Sequence, residues 1–160
     1  MVKIELLLKE GKIGRIPELE QERYHNFFSA SFADNLSHAK AVRESFPRWS
    51  IISGYYAMHD SAKLLIARQY RLKVEYEVHA TTITLLRELL KDKASIALLE
   101  DGYQEFIAMA NDLAQAKKER VKTQYYTGSA FMHSEYQKRS AQFLEKTVEP
   151  FIAKIKRLLR

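Results

Sequence analysis

Residues Trp49–Tyr70 read WSIISGYYAMHDSAKLLIARQY, and this stretch organises the rest of the chain. It has no proline and one glycine, and its apolar residues recur at spacings of three and four. That spacing puts side chains on one face of an α-helix. Ile52, His59 and Ile66 widen this face, so we predict the central helix of a bundle. The residues that define the face are Ile51, Tyr55, Met58, Ala62 and Leu65.

Small residues form a second stripe on the same helix, at Ser50, Gly54, Ala57 and Ser61. A stripe of this kind lets another helix approach closely, because little side chain separates the two backbones. The partner is either another helix of the same subunit or a second copy of the chain. Pro47 precedes the stretch and fits the start of a helix, where its missing N–H costs nothing.

Composition indicates one basic domain without covalent cross-links. The chain has 160 residues, no cysteine and a formal net charge of +6. The absence of cysteine excludes disulfides and thiolate chemistry. We find no signal peptide and no apolar run long enough to span a membrane, so we expect a cytoplasmic protein. The positive charge favours anionic partners such as nucleotides or RNA, although a solvated basic surface is an equally good interpretation.

Helical periodicity continues along most of the chain, which has three prolines and five glycines. We therefore predict an all-α protein, an up-and-down antiparallel helical bundle of four to five long helices over residues 19–160, preceded by an N-terminal arm at 1–18. We expect residues 71–77 to form a loop. The other predicted helices span residues 19–45, 79–91, 96–124 (with a possible break at Asp101–Gly102) and 134–159 (kinked or divided at Pro150).

No motif identifies an enzyme class, a metal site or a cofactor. The histidines have no H-E-x-x-H or similar spacing, and the chain lacks both a G-x-S-x-G elbow and a phosphate-binding glycine loop. His59, at the edge of the central apolar face, is more typical of a half-buried core histidine than of a catalyst. His79 is expected to cap the third helix. The five histidines are His25, His38, His59, His79 and His133.

The segment 117–128, KKERVKTQYYTG, is the best candidate for binding an anion. It places Arg120 near a predicted helix end, with Tyr125 close by and Lys117 and Lys122 adding positive charge. Arginine beside aromatic rings is typical of sites that bind phosphates or stack on bases. Alternatively, Arg120 bonds the carbonyls at the helix end and the tyrosine caps the bundle. The candidate binding residues are Arg120, Tyr125, Lys117, Lys122 and His59.

The sequence SGYYAMHDSAKLLIARQY resembles the Tyr-Tyr-Ala-Met-Phe-His signature of HEPN domains, which are all-helical and named for nucleotide binding in higher eukaryotes and prokaryotes. The leader LLLKEGKI, the AKAVRES stretch and His79 at a helix start also match that family. So does an arginine followed by a tyrosine and a glycine, here Arg120, Tyr125 and Gly128. The resemblance covers almost the whole chain.

The chain departs from this family at the residues that would cleave RNA. His59 and Asp60 occupy the signature's Phe-His positions. Ribonuclease members carry an arginine and a histidine within roughly two helical turns. Here His133 is the first histidine after Arg120, 13 residues on, or about 20 Å along an unbroken helix. Tyr125 stands near the usual histidine position and is a poor general base at neutral pH.

Three functions remain open at this point. The resemblance implies a non-catalytic protein that binds nucleotides or RNA, forms a homodimer and partners a minimal nucleotidyltransferase in a toxin–antitoxin-type pair. The second function is a metal-independent endoribonuclease with a rearranged site, in which Arg120 binds the phosphate and His59 or His133 arrives from another helix or subunit. The third is a helical dimer that binds another protein only.

Overall fold

A computed structural model describes the backbone of residues 2–122 and 130–160, and the side chains of residues 3–114 and 132–160. The chain is an all-α helical bundle, as predicted. Within the described residues, no helix is long and apolar enough to cross a membrane. The helices are α1 (Val2–Lys9), α2 (Gln21–Ala41), α3 (Pro47–Tyr70), α4 (Val78–Leu90), α5 (Lys93–Lys122), α6 (Ala130–Phe143) and α7 (Glu149–Leu158), with a 3-10 turn at Glu18–Glu20.

Helix α3 is the centre of the bundle, which confirms its predicted role. Most of its side chains are buried, and Pro47 is its first residue. Helix α2 runs antiparallel along it after a short turn, and Ser50 Oγ donates a hydrogen bond of 2.6 Å to the carbonyl of Ala39. Helices α5, α6 and α7 cover the remaining sides of α3. The apolar face read from the sequence therefore contacts several helices at once.

After α3 ends, the chain returns toward the middle of α3 before α4 begins. Helix α4 then runs beside α3 in the same direction. The Tyr55 hydroxyl lies 2.7 Å from Nδ1 of His79, at the start of α4. Farther along, the Tyr70 hydroxyl reaches the carbonyl of Leu89, at the end of α4. Helix α5 then runs back, so that His79 and Tyr103 come together beside Tyr55. This return path positions the candidate site.

Residues 71–77 are not simply the loop that we expected, because Leu72–Val74 forms a β-strand, β2. It pairs antiparallel with β1 (Ile13–Arg15), with Ile13 opposite Val74. Ile13 and Leu72 are buried against the bundle. The pairing satisfies backbone groups that a lone extended segment would leave to water. The N-terminal segment thus packs on the bundle of its own subunit.

The small-residue stripe of α3 is used within the subunit. A Cβ at Gly54 would lie 3.1 Å from Val148 and 3.3 Å from Phe143, so the segment after α6 packs directly on the glycine. Ser140 donates a hydrogen bond of 2.8 Å to Ser50 at the same contact. The stripe therefore gives no support to the predicted homodimer, which now rests on the family resemblance alone.

The possible break at Asp101–Gly102 is absent, because α5 continues through it. A Cβ at Gly102 would lie 2.9 Å from the sulfur of Met58. The glycine therefore permits close packing of α5 on α3 and does not interrupt the helix.

Pro150 divides the last helix, as predicted. One π-helical turn, Leu144–Val148, separates α6 from α7, and Pro150 lies in the first turn of α7. A proline inside a continuous helix would remove a hydrogen bond and clash with the preceding turn. The π-turn absorbs this disruption and keeps Val148 and Phe151 buried.

Candidate functional site

Six aromatic and imidazole rings from three helices form one continuous group, which we call the ring cluster. Helix α3 contributes rings one turn apart, α4 contributes one from its first turn, and α5 contributes two that are three residues apart. The i, i+3 and i, i+4 spacings place each helix's rings on a shared face. The members are Tyr55, Tyr56, His59, His79, Tyr103 and Phe106.

The ring cluster combines stacked and tilted pairs of rings. The ring centroids of Tyr55 and Phe106 are 4.9 Å apart with an interplanar angle of 23°. His79 and Tyr103 are 5.3 Å apart at 15°. His59 and His79 are 4.8 Å apart at 36°. These separations lie in the range of favourable aromatic pairs.

The ring cluster has a buried floor and a half-exposed rim. Tyr55 and His59 are 0% and 1% exposed. Tyr56, His79 and Tyr103, with Phe106, are only partly covered. The rim thus presents aromatic surface to solvent above rings that are held rigidly by three helices.

Both histidines of the ring cluster are neutral at physiological pH. Burial lowers the pKa of His59 to about 3, with a smaller contribution from the positive charge of Lys63. Burial, again with Lys63, also lowers the pKa of His79. Burial raises the pKa of Tyr55, so its phenol keeps its proton. The cluster therefore presents uncharged rings, which suits stacking more than proton transfer.

A hydrogen bond assigns the tautomer of His59. The protonated Tyr55 hydroxyl shares a hydrogen bond of 2.7 Å with Nδ1 of His79. Nε2 of His59 lies 3.5 Å from the carbonyl of Val78, which only accepts, so Nε2 carries the proton. Nδ1 of His59 is then a buried acceptor, and it has no hydrogen-bond partner among the residues that the structure describes. Such an atom costs about 1–3 kcal/mol of stability.

A polar network lies beside the ring cluster, around the buried carboxylate of Asp60. Oδ2 of Asp60 accepts hydrogen bonds from Ser31 Oγ at 2.6 Å and Asn35 Nδ2 at 3.2 Å. Nζ of Lys63 lies 3.6 Å from Oδ1 and also sits 5.0 Å from the ring centroid of Phe28. Burial lowers the pKa of Lys63. The network satisfies the buried charge and ties α2 to α3.

Of the predicted site residues, only His59 has a described side chain, and it lies on the floor of the ring cluster. The side chains of Arg120, Lys117 and Lys122, and all of Tyr125, lie outside the described residues. The backbone of α5 extends to Lys122. Arg120 follows Phe106 by fourteen residues, or about 21 Å of helix.

Sequence reasoning missed the rim of the ring cluster. None of Tyr56, Tyr103 and Phe106 was among the candidate binding residues read from the sequence. The available signal was the three-residue spacing of Tyr103 and Phe106 on α5, opposite a helix that itself carries rings four residues apart, Tyr55 and His59. The expectation that His79 caps the helix is wrong, because no described side chain caps the start of α4. The ring of His79 belongs to the ring cluster instead, with Nδ1 2.7 Å from the Tyr55 hydroxyl.

The remaining candidates for chemistry lie apart from the ring cluster. Nε2 of His133 bonds the carbonyl of Glu44 at 3.0 Å, near the turn between α2 and α3. Within the part of the chain that the structure describes, no three His, Asp or Glu side chains come together to hold a metal ion. In a groove of about 330 Å³ between α5 and α6, Arg139 is held by both carboxylate oxygens of Glu105.

Comparisons with known proteins add no family to this picture. No model of a protein family, no curated protein and no solved structure matches the chain.

Proposed function

We propose that this protein binds single-stranded RNA or nucleotides without cleaving them, and that a base stacks at the rim of the ring cluster. The observation that carries this proposal is the half-exposed group of uncharged rings formed by Tyr56, His79 and Tyr103. Aromatic platforms of this kind bind bases of any sequence, because every base has a π-face.

The electrostatics of the chain support the same function. The net charge of +6 attracts polyanions, and the segment with Lys117, Arg120 and Lys122 is basic. Helix α5 carries both Tyr103 and Arg120, which are seventeen residues apart, or about 25 Å of helix. One mononucleotide does not reach both positions, whereas a strand of several nucleotides does. RNA is therefore favoured over a free nucleotide.

The state of His59 argues against the ribonuclease alternative. A general acid or base acts best with a pKa near the working pH, whereas the pKa of His59 is about 3. The ring is also too buried to touch a substrate. Incubation of a mixed RNA pool with the protein and EDTA is expected to leave the RNA intact. Cleavage under these conditions would revive the alternative, with His133 as the candidate.

The proposal includes the partners that the HEPN resemblance implies. These are a second copy of the chain and a minimal nucleotidyltransferase. Sedimentation of the protein alone and mixed with such an enzyme tests both. A protein that binds neither RNA nor nucleotide, yet binds the enzyme, would favour the third function, protein binding only.

Replacement of Tyr103 by alanine is expected to weaken binding of an oligouridylate of roughly 15 nucleotides by about 1–3 kcal/mol, or about 5- to 150-fold. The reason is the loss of one stacking surface. Tyr103→Leu, which keeps apolar volume but has no π-face, is expected to lose nearly as much. Fluorescence anisotropy with labelled RNA measures both.

Phe27→Ala is the matched control, because Phe27 is a solvent-exposed aromatic residue on α2 whose ring contacts Phe28 and not the ring cluster. It is expected to bind as the unaltered protein does. Equal affinity of the Tyr103 and Phe27 variants would remove the ring cluster from the RNA site.

Arg120→Ala is expected to lose about 1.5–3 kcal/mol of RNA binding, the range for hydrogen bonds to charged groups. Arg120→Lys should recover only part, because a point charge lacks the bidentate contact. Melting temperature and affinity are measured on the same variants. A lowered melting temperature with unchanged affinity would assign Arg120 to the bundle.

A further inference from the structure

Five exposed cationic residues lie on the chain segments that meet where the ends of α3 and α7 approach the two-stranded sheet. Gln69 Nε2, near the end of α3, donates a hydrogen bond to the carbonyl of Leu158, the last residue of α7. The amide of Ile16 donates to the carbonyl of Arg71 at 2.8 Å, which holds β1 beside the end of α3. We call this surface the basic edge. It consists of Arg15, Arg68, Arg71, Lys156 and Arg157.

The cations of the basic edge are exposed, and none forms an ion pair with a described carboxylate. Several cations elsewhere on the bundle are paired with described carboxylates, whereas others, such as Lys9 and Lys91, are not. Lys40 lies 2.8 Å from Glu149, Arg43 lies 3.1 Å from Glu44, and Lys138 has a carboxylate at 3.3 Å. The positive charge at the basic edge is therefore not neutralised by direct ion pairs with described carboxylates.

The negative ends of the helix dipoles offset only part of this positive charge. The C-terminal end of a helix carries about −0.5 of an elementary charge, so the ends of α3 and α7 together contribute about −1. Five side chains contribute +5, and the exposed carboxylates of Glu18 and Glu20, in the 3-10 turn after Arg15, contribute −2, which leaves about +2 at this end of the bundle. Complementing the helix ends would need one or two cations. The excess fits a ligand with several negative charges.

We propose that the basic edge holds the phosphate backbone of the RNA strand whose base stacks at the ring cluster. This inference rests on the proposed function. Arg68 follows Tyr56 by twelve residues, or about 18 Å along α3. Single strands are bound over roughly 4–16 nucleotides per domain by basic grooves combined with aromatic platforms. The separation is thus bridged by a strand and not by a mononucleotide.

The chemistry of the basic edge favours RNA over a membrane surface. Four of its five cations are arginines, whose planar guanidinium forks match phosphate oxygens bidentately. A helix that binds a membrane interface carries a row of apolar side chains beside its cations, and this row inserts into the membrane. Here, at the basic edge, the exposed large apolar residues among those described are Leu158 on α7, 40% exposed, and Leu19 in the 3-10 turn, 99% exposed, and they lie on different elements and form no such row.

The test compares two triple variants with equal loss of charge. Arg68→Gln/Arg71→Gln/Arg157→Gln alters the basic edge, and Lys40→Gln/Arg43→Gln/Lys138→Gln alters paired cations elsewhere. Binding of an oligouridylate of roughly 15 nucleotides is measured across salt concentrations. Each phosphate contact contributes about −0.7 to the slope of log affinity against log salt. Loss of three contacts is expected to make the slope about 2 units shallower for the first variant only.

A difference of about 2 units between the two slopes means that a fourfold rise in salt weakens RNA binding by the unaltered protein about 20-fold more than RNA binding by the variant with Arg68, Arg71 and Arg157 replaced. Binding of uridine monophosphate should be the same for both triple variants, because it uses the ring cluster alone. Equal slopes for the two variants would overturn the basic edge as a phosphate site, while a loss of affinity in Tyr103→Ala would still uphold the proposed function.

Two other outcomes also count against the inference. If the unaltered protein binds no oligouridylate, the proposed function fails, and the basic edge fails with it. If the protein binds phosphatidylserine vesicles through the basic edge but not RNA, the surface faces a membrane. Circular dichroism melting confirms that both triple variants are folded, as expected for exposed side chains.

Discussion

Replacement of Tyr55 by alanine is expected to lower the free energy of unfolding by about 3–5 kcal/mol, the usual cost of truncating a buried aromatic residue. Tyr55 is 0% exposed and stacks on Phe106 and His59. Its hydroxyl also bonds His79. The ring contacts His79 of α4 and Phe106 of α5, so its removal leaves a cavity between three helices. Thermal and denaturant unfolding measure the loss.

The controls separate packing from hydrogen bonding. Tyr55→Phe removes only the bond to His79 and should cost about 1 kcal/mol. Tyr76→Ala alters an exposed tyrosine near the start of α4 and should cost about 0.5 kcal/mol or less. A Tyr55→Ala protein that unfolds with the Tyr76→Ala midpoint would mean that the ring cluster contributes little to the bundle.

The second large effect is a loss of stability in acid that depends on His59. Its pKa is about 3 in the folded protein, whereas an unperturbed histidine has a pKa of about 6.5. Between these values the unfolded chain binds more protons than the folded protein, so stability falls as the pH falls. Each pH unit costs about 1.4 kcal/mol. Lowering the pH from 6.5 to 4 should therefore cost about 3 kcal/mol through His59 alone.

His59→Met isolates this contribution, because methionine fills an irregular buried site and does not titrate. At pH 7 the variant should be about as stable as the unaltered protein. It loses only the long contact of 3.5 Å from Nε2 to the Val78 carbonyl, and it removes an Nδ1 that has no hydrogen-bond partner among the described residues. At pH 4 it should be more stable by about 3 kcal/mol. Urea unfolding at several pH values measures the difference in stability between the two proteins. The carboxylates are the same in both, so their effect on stability cancels in this difference. If the free energies of unfolding of the two proteins changed in parallel with pH, protonation of His59 would carry no cost in stability, and the prediction would be wrong.

Local patterns predicted the helices well. Helix α3 extends over Pro47–Tyr70, close to the stretch singled out from its period. Pro47 starts that helix and Pro150 divides the last one. These features depend on residues a few positions apart, and both helical periodicity and the effect of proline act at that range. They can be predicted from the sequence without knowledge of the fold.

The strand pairing could not be predicted from the sequence in this way. Ile13 and Val74 are neighbours in the sheet but lie 61 residues apart in the chain. Each strand has three residues, too few to show an alternating pattern. The sheet forms because the two segments meet beside the bundle and satisfy each other's backbone groups.

In the candidate site, too, some features follow from the local sequence and others only from the packing of distant segments. The sequence placed His59 at the edge of an apolar face, but its neutral state follows from burial under α4 and α5. Tyr103 and His79 become stacked partners only when these helices pack beside α3. A ring on a helix has the same local pattern whether it fills a core or lines a rim.

The sequence by itself determined the helical class, the central helix and the positive charge, because composition and short-range periodicity carry them. Only the tertiary structure decided which helix covers the small-residue stripe, which rings remain half-exposed and which cations lack a carboxylate. Each of these depends on what lies opposite a residue in space. Burial, desolvation and ion pairing act between groups that the chain brings together from distant positions, and the fold sets their strength.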